Sequence, residues 1–349
     1  MDQLKIIVPV ASFEPLSVLK RSVDSICDLE CGDLDVRIVY VLDIENVDDC
    51  RLKFLEEVSI ASNTSTAPNT LTDSITVIAR TDNRGRRAGA VNDALDSLDS
   101  RGISPDYIAL FDVDSRPRPN FLIECVDAMR SNRSAIIASG ARFVTNEDES
   151  IVSRTIAAEY LFFSDVYRLF RRFGGFNQFN GLIGVLDVRL MEDYRFSRLN
   201  ESVPCEDLEF TQRAYLAGLT GVFTPKTLVG EQAPVSVGDL FNQRVRWLSG
   251  AYLGLRRYLP SFISSKIPVA RKLAWFLALF LPFVAFLATP LVPLYGVRLL
   301  AKYGLFRAIV RTVGLIGHLW LITICGVVVL VKQVSGTGIE WKESRRSEV

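Results

Sequence analysis

Two stretches near the C-terminal end carry no charged side chain: Leu273 to Val297 over 25 positions and Thr312 to Val331 over 20. No other feature limits the chain so tightly. About 20 apolar residues in a helix match the hydrocarbon thickness of a bilayer, and uncharged runs of this length are rare in soluble cores. They concentrate the excess behind a hydrophobic content of 49% and a mean hydropathy of +0.22. Both runs are expected to be membrane helices, and the rest of the 349 residues suffices for one large α/β domain. The plan read from the sequence is a domain over 1–250, an interfacial amphipathic segment over 251–272, a membrane region of about two spans over 273–331, and a tail over 332–349 on the domain's side. This plan contains a conflict. A two-span hairpin carries Arg298, Lys302, Arg307 and Arg311 across the membrane, against the tendency of positive charge to stay inside. Pro282, Pro290 and Pro293 offer a broken or re-entrant first run instead.

The opening "LKIIVPV" is too short to be exported or to span, so the domain is expected to face the cytosol from a multi-pass attachment to the cell membrane. Scattered cysteines (Cys50, Cys125, Cys205, Cys325, with only Cys27 and Cys31 close) suggest reduced thiols rather than a disulfide framework or a zinc motif. Lys+Arg and Asp+Glu balance at 40 each, which gives no footing for a nucleic-acid partner. The one histidine, His318, falls in the second apolar run. A Ser-His-Asp triad, a His-rich zinc site and a His general base are therefore excluded from the domain, and proton transfer falls to carboxylates, Tyr, Cys or Lys.

Strand and helix patterns alternate along the domain. Strands are expected at 4–10, 36–43, 74–80 and "YIALFDVD" (107–114), and helices at 16–27, 88–99 and 119–129. The segment 60–72, rich in Ser, Thr, Asn and Ala, reads as a loop or a disordered excursion. Strands apolar on both faces between helices predict a mostly parallel sheet with covered faces. In such sheets ligands bind beyond the carboxyl ends of the strands. Asp43, "RTDNRGRR" and the pair Asp112/Asp114 all fall there, while GxGxxG and Walker A loops are absent. A hard cation held between two close carboxylates and a diphosphate would serve a nucleotide at this edge. The plain alternative makes D-x-D a turn capping the next helix.

Taken in order, the polar stations resemble the family-2 glycosyltransferases, in particular the membrane-bound branch with cellulose, chitin and hyaluronan synthases. The stations are "IIVPVASFEP", Asp43, "GRRAGAVNDAL", "DVDSRPRPNFL", "PCEDLEFTQRAYLAG" and "QRVRW", over about residues 4–250. The resemblance implies a GT-A fold and an inverting transfer from a nucleotide diphosphate sugar, such as a UDP-sugar, to a lipid-linked or glycan acceptor. It places Pro9, Ser12, Glu14, Asp43, Arg87 (where the family has lysine) and Asp112 at the nucleotide sugar. It gives Asp112 and Asp114 to Mg²⁺ or Mn²⁺, the general base to Asp207 with Glu206 beside it, and the acceptor and diphosphate side to Gln243, Arg246 and Trp247. The chemistry agrees: a cation offsets charge growing on the diphosphate, and a carboxylate takes the acceptor proton. An acidic first turn of a helix would also account for "CEDLE", and a membrane-interface anchor for Trp247. "EYLFFSDVYRLFRRFGGF" (159–176) fits either a helix under the bilayer surface or a core helix. "FNGLIGVLDVRLM" has Asp187-Val188 where the family's acceptor-side element carries two arginines.

Three rivals stand beside this reading. A processive polysaccharide synthase would need the two runs to wall a pore, and so a homo-oligomer. A catalytically silent membrane-anchored binding protein would have been free to lose the acidic and Q-x-x-R-W residues. A two-metal phosphohydrolase would need more ligands than this edge supplies.

Overall fold

The computed structural model describes residues 1–62, 75–172 and 179–337. The chain folds into two compact units, Met1–Ala141 with Gln178–Gly230 and Arg142–Asn177 with Glu231–Ser347. Parts of the 1–250 segment, 142–177 and 231–250, thus group with the C-terminal helices.

The chain alternates β1 (Asp2–Val10), α1 (Leu16–Cys27), β2 (Leu34–Asp43), α2 (Cys50–Ser62), β3 (Ile75–Arg80) and α3 (Arg86–Ser100). Next come β4 (Tyr107–Leu110), the two-residue β5 (Arg116–Pro117), α4 (Phe121–Arg130) and β6 (Ala135–Val144). The helix α5 (Ile151–Arg172) belongs to the second unit. The first unit resumes with a 3-10 turn (Asn180–Leu182), β7 (Gly184–Asp187), α6 (Val188–Asp193), α7 (Glu206–Leu216) and β8 (Thr220–Glu231). The expected elements fall on β1, α1, β2, β3, α3, β4 and α4. Of the segment expected as a loop over 60–72, residues 60–62 close α2 and the remainder lies outside the described residues.

The strands form one sheet in the order β3-β2-β1-β4-β7-β6-β8-β5. The half β3-β2-β1-β4 is parallel, as expected, whereas β7 runs antiparallel to β4 and β6, and β5 to β8, so the whole sheet is mixed. Side-chain alternation in β1 explains why its run is apolar throughout. Leu4, Ile6, Val8 and Val10 join a core with α1 and α4 on one face, while Ile7 joins a core with α3 on the other. All four parallel strands present their carboxyl ends at one edge, which is where the acidic stations fall.

In the second unit, α5 is followed by α8 (Val237–Ser264), α9 (Val269–Phe280), a 3-10 stretch (Leu281–Leu291), α10 (Val292–Tyr303) and α11 (Leu305–Val334). The segment 251–272 therefore completes α8 and begins α9. Residues 159–172 lie in α5, and 173–176 lie outside the described residues. Val269–Tyr303 and Leu305–Val334 are long and apolar enough to cross a membrane, with mean hydropathies of 2.2 and 2.3. The first is broken in its middle, where Pro282 and Pro290 lack donors and Val284 leaves helical geometry at φ −122° and ψ 27°.

Candidate active site

Asp43, the last residue of β2, is buried at the sheet edge. Its Oδ1 lies 3.4 Å from Arg80 Nη1 at the end of β3, yet makes no hydrogen bond among the described residues. Arg80 also serves Asp93, at 2.8 Å, so its charge is shared. Burial raises Asp43 to about 6, Arg80 opposing the shift. Arg51 ties the neighbouring loop in place: it donates to the carbonyl oxygens of Ala11 (2.7 Å), Glu14 (3.2 Å) and Asp43 (3.1 Å), and pairs with Asp49. Pro9 lies in β1 opposite Val41, Ser12 in the turn that follows, and Glu14 is buried just beyond it.

Arg87, in the first turn of α3, joins stations that lie far apart in the sequence. Its Nε donates to Asp112 Oδ1 at 2.7 Å, its Nη1 to Glu206 Oε1 at 3.1 Å, and its Nη2 to the carbonyl oxygen of Gly181. Burial works against its charge, but Asp112 and Glu206 outweigh that and raise its pKa. Asp207 Oδ2 accepts the Gly181 N–H at 2.5 Å, and Oδ1 accepts that of Leu208 at 2.7 Å. Gly181 serves both sides of the site because its backbone is left-handed, at φ 65° and ψ 6°. Burial pushes Glu206 up, with Asp207 adding to the shift and Arg87 opposing it. Both residues stand in the acidic first turn of α7, so the helix-start and motif readings hold together.

Asp112 and Asp114 follow β4. The turn is closed by Ser115, whose N–H donates to the Asp112 carbonyl oxygen at 2.8 Å and whose Oγ accepts from Asp112 N–H at 3.0 Å. Asp114 is buried; the Asp112 carboxylate is one-third exposed. Two carboxylates form an all-oxygen donor set that suits Mg²⁺ or Mn²⁺. No group of three or more His, Cys, Asp or Glu that could hold a metal occurs among the described residues, so a cation here would draw its remaining ligands from a diphosphate and water.

Gln243, Arg246 and Trp247 stand on α8, in the second unit. There the Arg244 guanidinium lies 4.2 Å from the Trp247 ring centroid, covering one face of the indole. Buried Arg244 pairs with buried Glu159 of α5 at 2.5 Å, and His318 Nε2 lies 3.1 Å from the other Glu159 oxygen. Burial alone would raise Glu159, but Arg244 and His318 hold it below its ordinary value. Sequence reasoning passed over Arg51 and gave no role of their own to Arg80, Arg244 and Glu159, which lie inside the stretches it singled out. The signal available for the last two was a charge at a helix position surrounded by apolar residues.

An edge where parallel strands deliver Asp43 and Asp112, faced by a carboxylate-bearing helix start, defines a GT-A-like architecture. The sequence matches "Glycosyl transferase family 2" over residues 6–189 and "Glycosyl transferase family group 2" over 107–331, each more than half of the chain. The chain belongs to glycosyl transferase family 2. It is 26% identical over 287 residues to "Probable glucomannan 4-beta-mannosyltransferase 7" of Oryza sativa subsp. japonica, covering 79% of this chain and 46% of that one. To "Probable glucomannan 4-beta-mannosyltransferase 3" of the same plant it is 26% identical over 249 residues, with 70% and 43% covered. The chain thus spans less than half the length of these relatives. Among solved structures, the mannosyltransferase PcManGT from Pyrobaculum calidifontis, in complex with GDP-Man and Mn²⁺, superposes with a TM-score of 0.60 at 15% identity over 93% of this chain and 87% of that one. S. aureus TarS 1-349 in complex with UDP-GlcNAc gives 0.51 at 14% identity, over 96% and 92%. These two likenesses bear on the fold.

Proposed function

We propose that the chain is a membrane-bound, metal-dependent inverting hexosyltransferase, taking its sugar from a nucleotide diphosphate sugar and adding it to a lipid-linked or glycan acceptor. The observation that carries this reading is the joining of Asp112, Glu206 and the Gly181 backbone by Arg87, with Asp207 locked against the same glycine. Donor-side and base-side carboxylates are thereby held together, as a displacement at one sugar carbon requires. Asp43 would stand at the nucleotide base, held in place by its contacts with Arg80 and Arg51. Asp112 and Asp114 would hold Mg²⁺ or Mn²⁺, which when bound offsets charge on the diphosphate. Asp207, fixed by two backbone N–H groups, takes the acceptor proton, and Glu206 stays beside it as a half-buried carboxyl group paired with Arg87.

The test is release of nucleotide diphosphate from membranes carrying the chain, supplied with Mn²⁺ and a donor panel. A UDP-sugar is the donor expected from the sequence; GDP-mannose joins the panel because two relatives are named mannosyltransferases and PcManGT was solved with GDP-Man. Release with one donor and its loss in Asp112→Asn support the reading. Hydrolysis of every donor at equal rates, unaffected by that substitution, overturns it.

A further inference from the structure

The helix α11 has two unlike faces along its whole length. Ala308, Arg311, Leu315, His318, Ile322, Cys325 and Val329 recur at alternating intervals of three and four and are buried. Phe306, Val313, Trp320, Val327 and Val334 recur every seven residues and are all at least half exposed. Arg311 and His318 therefore face protein while the large apolar residues Phe306, Val313, Trp320, Val327 and Val334 face outward, the reverse of a helix in water.

What covers the buried face decides how the helix can lie. Its first half packs on α5 and α10: Arg311 pairs with Glu147, His318 meets Glu159, and Ala308 and Leu315 share a core with Ala158. Its second half packs on α8, where Ile322, Cys325 and Val329 meet Val245 and Leu248. The cover runs from Ala308 to Val329, about 32 Å of helix at 1.5 Å per residue, as long as the hydrocarbon core is thick. A crossing α11 would drag α5 and α8 into the hydrocarbon beside it. Those helices carry Arg154, Asp165, Asp239, Arg246, Arg256 and Arg257, which forbids that. The turn from α10 to α11 is tied to the same side, since Arg298 pairs with Asp165 at 2.7 Å.

The surface chemistry names the occupant. Between Asp239 and Glu340 there is no acidic residue, against 12 Lys and Arg. Arg256, Arg257, Lys266, Arg271, Lys302 and Arg307 are exposed on and between the same run of helices, which suits anionic lipid headgroups over acyl chains. We infer that α9, α10 and α11 form a platform whose apolar stripe is immersed in one leaflet of an anionic bilayer, without crossing it. The positive loop that a two-span hairpin would strand outside then stays on the near side. The inference rests on the membrane attachment proposed above and not on the transfer reaction.

The full chain, bound to sealed phosphatidylcholine–phosphatidylglycerol vesicles, tests this. Ala301→Cys and Thr337→Cys, in separate chains, are labelled with an impermeant maleimide beside native Cys50, which is exposed in the first unit. Both new thiols should label together with Cys50 before detergent is added. If Ala301→Cys labels only after detergent, the two helices form a crossing hairpin; if Thr337→Cys does, α11 alone crosses. Either result overturns the platform. Val313→Lys with Val327→Lys in one chain should weaken vesicle binding by at least about tenfold. Unchanged vesicle binding, with a dimer lost, would assign the stripe to a second copy and overturn the lipid assignment. Failure of the unaltered chain to bind vesicles would overturn the attachment as well, while leaving transfer to its own assay.

Discussion

Asp207 accepts the Gly181 N–H on Oδ2 and the Leu208 N–H on Oδ1, so Asp207→Asn removes the charge together with one of these two acceptors. Transfer should fall about 10²- to 10⁴-fold, the usual contribution of a positioned base, with donor affinity nearly unchanged. Turnover measured beside nucleotide binding separates the roles, and lost affinity at a normal rate per complex would make Asp207 a binding residue. Asp114→Asn should abolish Mn²⁺-dependent transfer at an unchanged melting temperature; normal turnover in that variant would remove Asp114 from the cation. Asp43 makes a prediction about pH. Its folded pKa of about 6 lies above the ordinary 3.8, so ionising it opposes folding. Its stabilising share is present in full below about pH 4 and is lost as the pH rises through about 6. Denaturation midpoints across that window should decline less steeply in Asp43→Asn than in the parent chain, and identical slopes would place the titration elsewhere.

At the scale of elements, the 3-10 turn at Asn180–Leu182 is the hinge of the site, because one left-handed glycine feeds Asp207 through its N–H and Arg87 through its carbonyl. A Cβ at Gly181 would stand 3.5 Å from Asp112 Oδ2, which is ordinary contact, so the cost of Gly181→Ala is the backbone, about 1–2 kcal/mol. The variant should stay folded and lose at least about tenfold in transfer, a split read from calorimetry beside turnover. In the second unit α5, α8 and α11 meet at Glu159, Arg244 and His318. Glu159→Ala leaves Arg244 buried and unpaired, and should cost about 3–5 kcal/mol. Combining Glu159→Gln with Arg244→Gln should recover much of that loss; no recovery would mean the pair's shape matters more than its charge.

For the whole molecule, the C-terminal helices behave as part of the fold. Cutting the chain after Ser264 removes His318 from Glu159, and the cover of Ile322 and Val329 from Val245 and Leu248. The shortened chain is expected to aggregate during extraction, because the bared faces of α5 and α8 are built for contact. Sedimentation after expression checks this, and a monodisperse product would show that α9 to α11 are dispensable for the stability of the rest of the chain.

The alternation of strands and helices, the acidic stations at strand ends and the two apolar runs were legible in the sequence. Each is local: periodicity lies within one element, and the D-x-D and E-D pairs lie within a few residues. Arg87 was legible as a station expected at the nucleotide, but its link to Glu206 bridges 119 residues, which no local pattern encodes. The antiparallel half of the sheet was likewise set by long-range pairing of β7 with β4 and β6. The apolar runs pointed to lipid as a partner but not to the direction in which the helices lie. When nearly every position is apolar, hydropathy carries no sense of face. Only the placement of Glu147, Glu159 and Asp165 against Arg311, His318 and Arg298 decides which side of each helix is covered by protein.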